Sequence, residues 1–164
     1  MTTTTPAAVL VRSAEAEQLA DGPTSLITLL ADSADTGGAM TANRSLLKAG
    51  SPGAPAHFHT RASEVLFVLD GALRALAGDE VHDLGPGDFL LLPPGLPHAF
   101  APVPGREADV LALFTPGLPR FDYYRLLARV AAGTASVDEI RASSERYDNH
   151  YVPSEAWAGA LADR

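Results

Sequence analysis

Cysteine is absent from this chain of 164 residues. Its absence excludes disulfides, thiolate zinc sites, iron–sulfur clusters and cysteine nucleophiles. Positive charge is scarce: 12 Lys+Arg stand against 20 Asp+Glu, a formal net charge of -8. Nucleic acid is therefore a poor partner, because neutralising phosphates takes clustered Lys and Arg. An anionic membrane surface is disfavoured on the same ground. Long apolar runs are missing too, and none approaches the roughly 20 residues of a transmembrane helix. The opening residues hold no basic stretch leading into an apolar one, so the expectation is no secretion signal and a cytoplasmic location. The length suits one domain, able to bury roughly 68–70% of its unfolded surface without staples.

Glycine and proline, by contrast, are plentiful at 14 and 13. Most lie between Gly22 and Pro119, where they separate short apolar runs at 25–30, 40–48, 64–69, 72–77, 89–92 and 109–114. Short runs bounded by turn residues predict an all-β sandwich or barrel. Asp70-Gly71 reads as a hairpin turn, because glycine tolerates the positive φ of a tight turn. Gly85-Pro86-Gly87-Asp88 and Pro93-Pro94-Gly95 bracket a very short strand.

After Pro119 the period changes. Phe121, Tyr124, Leu127, Val130 and Ala131 recur at spacings of three and four, which predicts a helix ending at Gly133. Ser136-Val137-Asp138-Glu139 has the form of a capping box, with a second helix expected from there to about Tyr147. The chain thus divides into an N-terminal arm at 1–24, a β-barrel at 25–118 and a helical tail at 119–164 packed on the barrel. Phe121, Tyr123, Tyr124, Tyr147, Tyr151 and Trp157 are expected to hold that tail down.

The five histidines carry the chemistry. His57 and His59 stand two apart, so on a strand their imidazoles project to one face. Glu64 lies at an odd offset, but the segment 60–63 can turn the chain and reset the parity. His98 follows the Pro93–Pro97 turn. Two imidazoles and a carboxylate, joined by His98, would make a site for a divalent transition metal. His82 alternates in a strand after Gly78-Asp79 and is expected to face solvent. His150, beyond the last predicted helix, is expected at the surface.

Gly87-X5-Pro93-X-Gly95-X2-His98 resembles the second motif of the cupin superfamily, and His57-X-His59-X4-Glu64-X6-Gly71 resembles most of the first. The resemblance implies a cupin double-stranded β-helix (jelly-roll barrel) with a short C-terminal helical segment. It implies one divalent transition metal ion per chain (Fe, Mn, Ni, Co or Zn) held by His57, His59, Glu64 and His98. The short single-barrel plan resembles bacterial quercetinase-like monocupins, which implies a metal-dependent dioxygenase acting on a small aromatic substrate and O2. In that family the flavonol engages the metal through its 3-oxygen and the residue at the position of Glu64 serves as base, so Glu64 is the candidate catalytic residue. Dioxygen cleaves the heterocycle and carbon monoxide leaves.

A substrate pocket is expected from Arg44, Leu66, Val68, Phe89, Leu91 and Phe100, whose apolar members would suit a flat aromatic ring. The alternatives are a redox-neutral cupin of isomerase or polyketide-cyclase type and a non-catalytic small-molecule-binding cupin. Few basic residues (Arg44, Lys48, Arg61, Arg74) are available to hold sugar phosphates, and no basic helix-turn-helix accompanies the barrel. The run at 64–69 is apolar on both alternating sets, so both faces must be covered, one of them by the helices or by a second subunit. A homodimer is therefore expected.

Overall fold

The structure, a computed structural model, describes residues 7–162. Two antiparallel sheets face each other. One has six strands in the order β1 (Gln18–Ala20), β2 (Ser25–Ala31), β3 (Thr41–Leu47), β10 (Ala108–Thr115), β5 (Ser63–Gly71) and β8 (Phe89–Leu92). The other has five: β11 (His150–Tyr151), β4 (Ala54–Phe58), β9 (His98–Pro102), β6 (Leu73–Ala77) and β7 (Glu80–Leu84). Strands adjacent in sequence repeatedly fall in different sheets, which gives a jelly roll. No helix among the described residues is long and apolar enough to cross a membrane.

Alternation on the strands divides the barrel interior into two ends. At one end Leu47, Leu66, Val68, Leu73, Leu92 and Val110 form a closed apolar core. Leu66, Val68 and Leu73 are wholly buried, and each such side chain contributes about 1.5–3 kcal/mol relative to exposure. At the other end polar side chains turn inward, and α1 (Phe121–Ala131) covers the mouth. Tyr123 and Tyr124 pack there on Ile27 and Leu29 of β2, with Ile140 and Tyr147 behind them.

Several expectations need correction. Asp70-Gly71 does not close a hairpin. β5 and β6 lie in opposite sheets, and Gly71 (φ 78) instead lets the chain cross beside the Glu107 carbonyl, where a Cβ would sit 2.0 Å from the oxygen. The two-residue turn is Gly78-Asp79 between β6 and β7, and His82 on β7 is exposed as expected. The stretch before Gly22, read as a loose arm, ends in β1, because Leu19 packs with the α1 cluster and the backbone pairs with β2.

The helix begun by the capping box is real at its start: Ser136 Oγ accepts the Glu139 amide, and the Glu139 carboxylate accepts the Ser136 amide. It does not run unbroken to Tyr147. It divides at Ser143 into α2 (Val137–Ala142) and α3 (Ser144–Tyr147). The Ser143 hydroxyl donates to the Ile140 carbonyl, a local bond that competes with helix continuation. A further helix, α4 (Glu155–Ala162), sets Trp157 against Ala56, Leu76, Ala99 and Ala101 on the outside of the five-stranded sheet.

Candidate metal centre

Three strands and one turn supply the centre. His57 on β4 and His98 on β9 are direct cross-strand partners. The register shifts between Ala54 and His57, a bulge that aims His57 inward beside Ala54 and Pro55. Gly53 makes this approach possible. Its φ is 62, and a Cβ there would lie 1.9 Å from the Phe100 carbonyl oxygen. His59 follows the end of β4, and Glu64 reaches across from β5 in the facing sheet.

All four side chains are buried, and their ligand atoms lie within 4.8 Å of one another. Glu64 Oε2 stands 2.8 Å from His98 Nε2, 3.1 Å from His59 Nε2 and 4.0 Å from His57 Nε2. Each imidazole is oriented through its other nitrogen. Nδ1 of His57 donates to the Pro55 carbonyl at 2.7 Å, that of His98 to Leu96 at 2.8 Å, and that of His59 to Asp148 at 2.5 Å. A carbonyl can only accept, so in the neutral rings Nδ1 carries the proton and Nε2 presents a lone pair to the centre.

That arrangement tests whether a cation fits. Bare Nε2 lone pairs facing a carboxylate oxygen repel unless a proton or a metal ion lies between them. Burial and the neighbouring His98 and His59 push His57 well below its usual range, toward the neutral form a metal requires. Burial alone would raise Glu64, but where a proton lies between its oxygen and Nε2 of His59 or His98, the bond overcomes burial and holds the carboxyl well below its usual value. Burial alone would lower His98, and its contact with Glu64 raises it instead. Three oriented imidazoles and one ionised carboxylate suit a divalent transition metal.

Above the centre lies a cavity of about 100 Å³ reached by His57, Glu64 and Phe100. Its walls are mixed and more apolar than polar: Ile27, Ala54, Pro55, Ala112 and Leu127 share them with Asn43 and Ser45 from β3, Arg120 and Tyr123 at the head of α1, and Asn149 and Tyr151 from the tail. Tyr124 donates its hydroxyl to Asn43 Oδ1 at 2.8 Å, and the Tyr123 and Tyr151 hydroxyls meet at 2.5 Å. Asp21 also borders the cavity, and burial raises its carboxyl above the usual range.

The structure brings His57, His59, Glu64 and His98 together and parts most of the expected pocket. Phe100 lines the cavity. Arg44 points out of β3 and pairs with Asp109, because the inward positions of that strand are Asn43 and Ser45. Leu66 and Val68 fill the apolar core at the closed end. Phe89 and Leu91 are 62% and 49% exposed on the outer face of β8. The apolar part of the lining therefore comes from other residues than expected, Ile27, Ala54, Pro55, Ala112 and Leu127 beside Phe100, and amides, hydroxyls and a guanidinium are set among them.

The tail supplies what the motifs did not show. The Asp148 carboxylate accepts the Thr60 amide at 2.9 Å, the Thr60 hydroxyl at 2.7 Å and the Arg61 amide at 2.8 Å. Those bonds hold it near pKa 2 against the opposing effect of burial. β11 then pairs with β4, opposite Phe58 and His57. His150 is half-buried, stacked on Phe58 and bonded to Asp148, so it is more than a surface residue. The only hint in the sequence was a run of polar and aromatic residues, 148–151, just after a helix.

Residues 43–114 match the family described as Cupin domain. A 70-residue stretch is 40% identical to a probable germin-like protein, subfamily 2 member 5, of Arabidopsis thaliana, covering 40% of this chain and 33% of that protein. The chain thus matches about a third of the length of that relative. Among solved structures, an RmlC-like cupin from Shewanella frigidimarina superposes with a TM-score of 0.57 at 17% identity, over 71% of this chain and 96% of that one. The polyketide cyclase RemF from Streptomyces resistomycificus superposes with a TM-score of 0.54 at 20% identity, over 65% and 78%. The two solved structures share the fold described above.

Proposed function

From a chain whose cupin domain and jelly-roll fold support membership of the cupin superfamily, we propose a metal-dependent enzyme, a dioxygenase acting on a small aromatic substrate. The observation that carries this reading is the convergence of three Nδ1-anchored imidazoles and Glu64 at the floor of a cavity whose apolar walls carry a few polar groups. A divalent transition metal held by His57, His59, Glu64 and His98 supplies a Lewis-acid centre able to take a substrate oxygen. The protein's own contribution is placement and charge. Glu64, at the cavity floor, is positioned to accept a proton from a substrate hydroxyl. Asn43, Tyr124 and Asn149 offer hydrogen bonds that orient substrate oxygens, and α1 excludes water.

The size of the cavity, about 100 Å³, favours a single ring over a larger flavonol, and polar groups set among apolar walls suit a ring that carries oxygens. The test is oxygen uptake by protein reconstituted separately with Fe, Mn, Ni and Co. It is offered quercetin and single-ring hydroxylated aromatics, with His98→Ala as control. Uptake lost in His98→Ala supports the dioxygenase, and carbon monoxide release from quercetin narrows it to flavonol cleavage. No uptake from protein that holds metal overturns it.

A redox-neutral reaction of the cyclase or isomerase kind is the second reading. The buried Arg120 and its two neighbouring tyrosines favour it, because such a wall stabilises an enolate oxygen. Product formed without oxygen uptake would establish it.

We also propose that the chain acts as a homodimer. The helices cover β1, β2 and the outside of the five-stranded sheet, and they leave Leu69, Phe89 and Leu91 exposed. Phe67 stands opposite both Phe89 and Leu111, and Val65 opposite Leu91 and Leu113, which extends one apolar sheet face. A second copy would cover it.

A further inference from the structure

Arg120 is only 3% exposed, and what surrounds it is unusual. Its guanidinium lies 4.3 Å from the ring centroid of Tyr123, 4.9 Å from that of Phe114 and 5.3 Å from that of Tyr124. It donates to two neutral acceptors, the Tyr147 carbonyl at 3.1 Å and Asn149 Oδ1 at 3.2 Å. Among the described residues no carboxylate pairs with it. Its Nε–H has no hydrogen-bond partner, and neither has Nδ2 of Asn149, which is also buried. A guanidinium only donates, so the Asn149 oxygen must face it and the amide nitrogen is the end left over. Both residues line the cavity that holds His57 and Glu64.

Aromatic faces soften a buried cation but do not neutralise it. Glu64 Oε2 is engaged by His98 and His59, and among the described residues no salt bridge joins Glu64 or Asp21 to the guanidinium. A water molecule would satisfy the free donors and leave the charge. An anion with two acceptor oxygens answers both needs.

We infer that Arg120 and Asn149 form an anion subsite beside the metal centre. The substrate is a small organic acid whose carboxylate docks there while another of its oxygens faces His57, His59, Glu64 and His98. This rests on the cavity being the substrate site, as proposed above, and narrows the substrate class from aromatic to acidic. It holds for oxidative and redox-neutral chemistry alike.

The test is calorimetric titration of salicylate and of salicylamide, matched in ring and hydroxyl and differing in the carboxylate. Both are titrated into metal-free and zinc-loaded protein, for wild type, Arg120→Gln and Asn149→Ala. Wild type should bind the acid about tenfold more tightly than the amide, or better, with and without zinc. Arg120→Gln should abolish that preference. A preference seen only with zinc, or one that survives in Arg120→Gln, overturns the inference, since the metal alone would then read the anion. Absence of any preference overturns it as well. Should Arg120→Gln fail to fold, Asn149→Ala, expected to weaken the preference severalfold, and the metal-free wild type decide the matter. Zinc content is measured in the same samples. Protein that takes up no zinc sinks the metal-centre reading, and the acid preference is still scored on its own.

Discussion

The main-chain carbonyl of Asp148 accepts the Nδ1 proton of His59, joining the C-terminal tail to a candidate metal ligand 89 residues earlier. The carbonyl is held in place from its own side chain, which takes the Thr60 and Arg61 amides, and from its backbone, which is left-handed at φ 52. Asp148→Gly keeps that conformation accessible and removes the carboxylate. With the tail loosened, His59 loses its orientation, and metal affinity should fall about 10-fold or more. Competition titration against a chromogenic chelator measures it. Affinity unchanged within twofold would show that the tail does not position His59.

Asp148 also sets an acid limit. Its carboxyl titrates near 2 in the folded protein against 3.8 ordinarily. A carboxyl lowered by folding contributes stability that is complete above the unfolded value and is lost as pH falls toward the folded one. The contribution is on the order of 2 kcal/mol, present above about pH 5 and fading between about pH 4 and 2. Thermal melts across that range should show a steeper acid decline for wild type than for Asp148→Asn, which starts lower at pH 7. Parallel declines would contradict this.

Metal should stabilise the fold, because the assembled ligand set exists only in the native state. Loading with Zn, Mn, Ni or Co is expected to raise the melting temperature and to saturate at one ion per chain. His98→Ala and Glu64→Gln should each bind at least about 10-fold more weakly and lose most of that rise. Equal uptake by His98→Ala would remove His98 from the ligand set.

Gly53→Ala should destabilise the protein by about 3 kcal/mol or more. It combines left-handed backbone strain with a clash against the Phe100 main chain, which a strand cannot easily relieve. Gly50, whose Cβ would meet nothing within 4 Å, should tolerate alanine far better. Paired denaturant titrations of the two variants provide the comparison.

The dimer predicts that Phe89→Glu and Leu91→Glu shift sedimentation at micromolar concentration to a monomer, with the fold intact by circular dichroism. Wild type sedimenting as a monomer would remove the proposed partner from the β5–β8 face.

The four candidate ligands were legible because they sit in two short motifs whose turns and strands are local. Strand alternation put His57 and His59 on one face, the motif resemblance implied that Glu64 and His98 join them, and the β4–β9 pairing and the facing β5 bring all four together. The capping box at Ser136 was legible for the same reason, since its bonds span three residues. The pocket was not. Leu66 and Val68 share the inner face of β5 with Glu64, but which end of a barrel a given inward residue occupies depends on the stagger of strands far apart in sequence. Phe89 and Leu91 look like core by composition, and only the sheet order reveals them on the outer face of an edge strand.

Periodicities and turn chemistry that act within a few residues were enough to read the all-β class and the helical tail, and the resemblance of two short motifs to the cupin pattern pointed to the cluster of His57, His59, Glu64 and His98. Tertiary structure alone decided that the tail closes the site. Arg120, Asp148, Asn149 and Tyr151 come into play because α1 packs over the barrel mouth and β11 pairs with β4, joining residues dozens of positions apart. Nothing in a local pattern encodes such contacts, because they arise from the burial of apolar faces that meet only after the chain has folded.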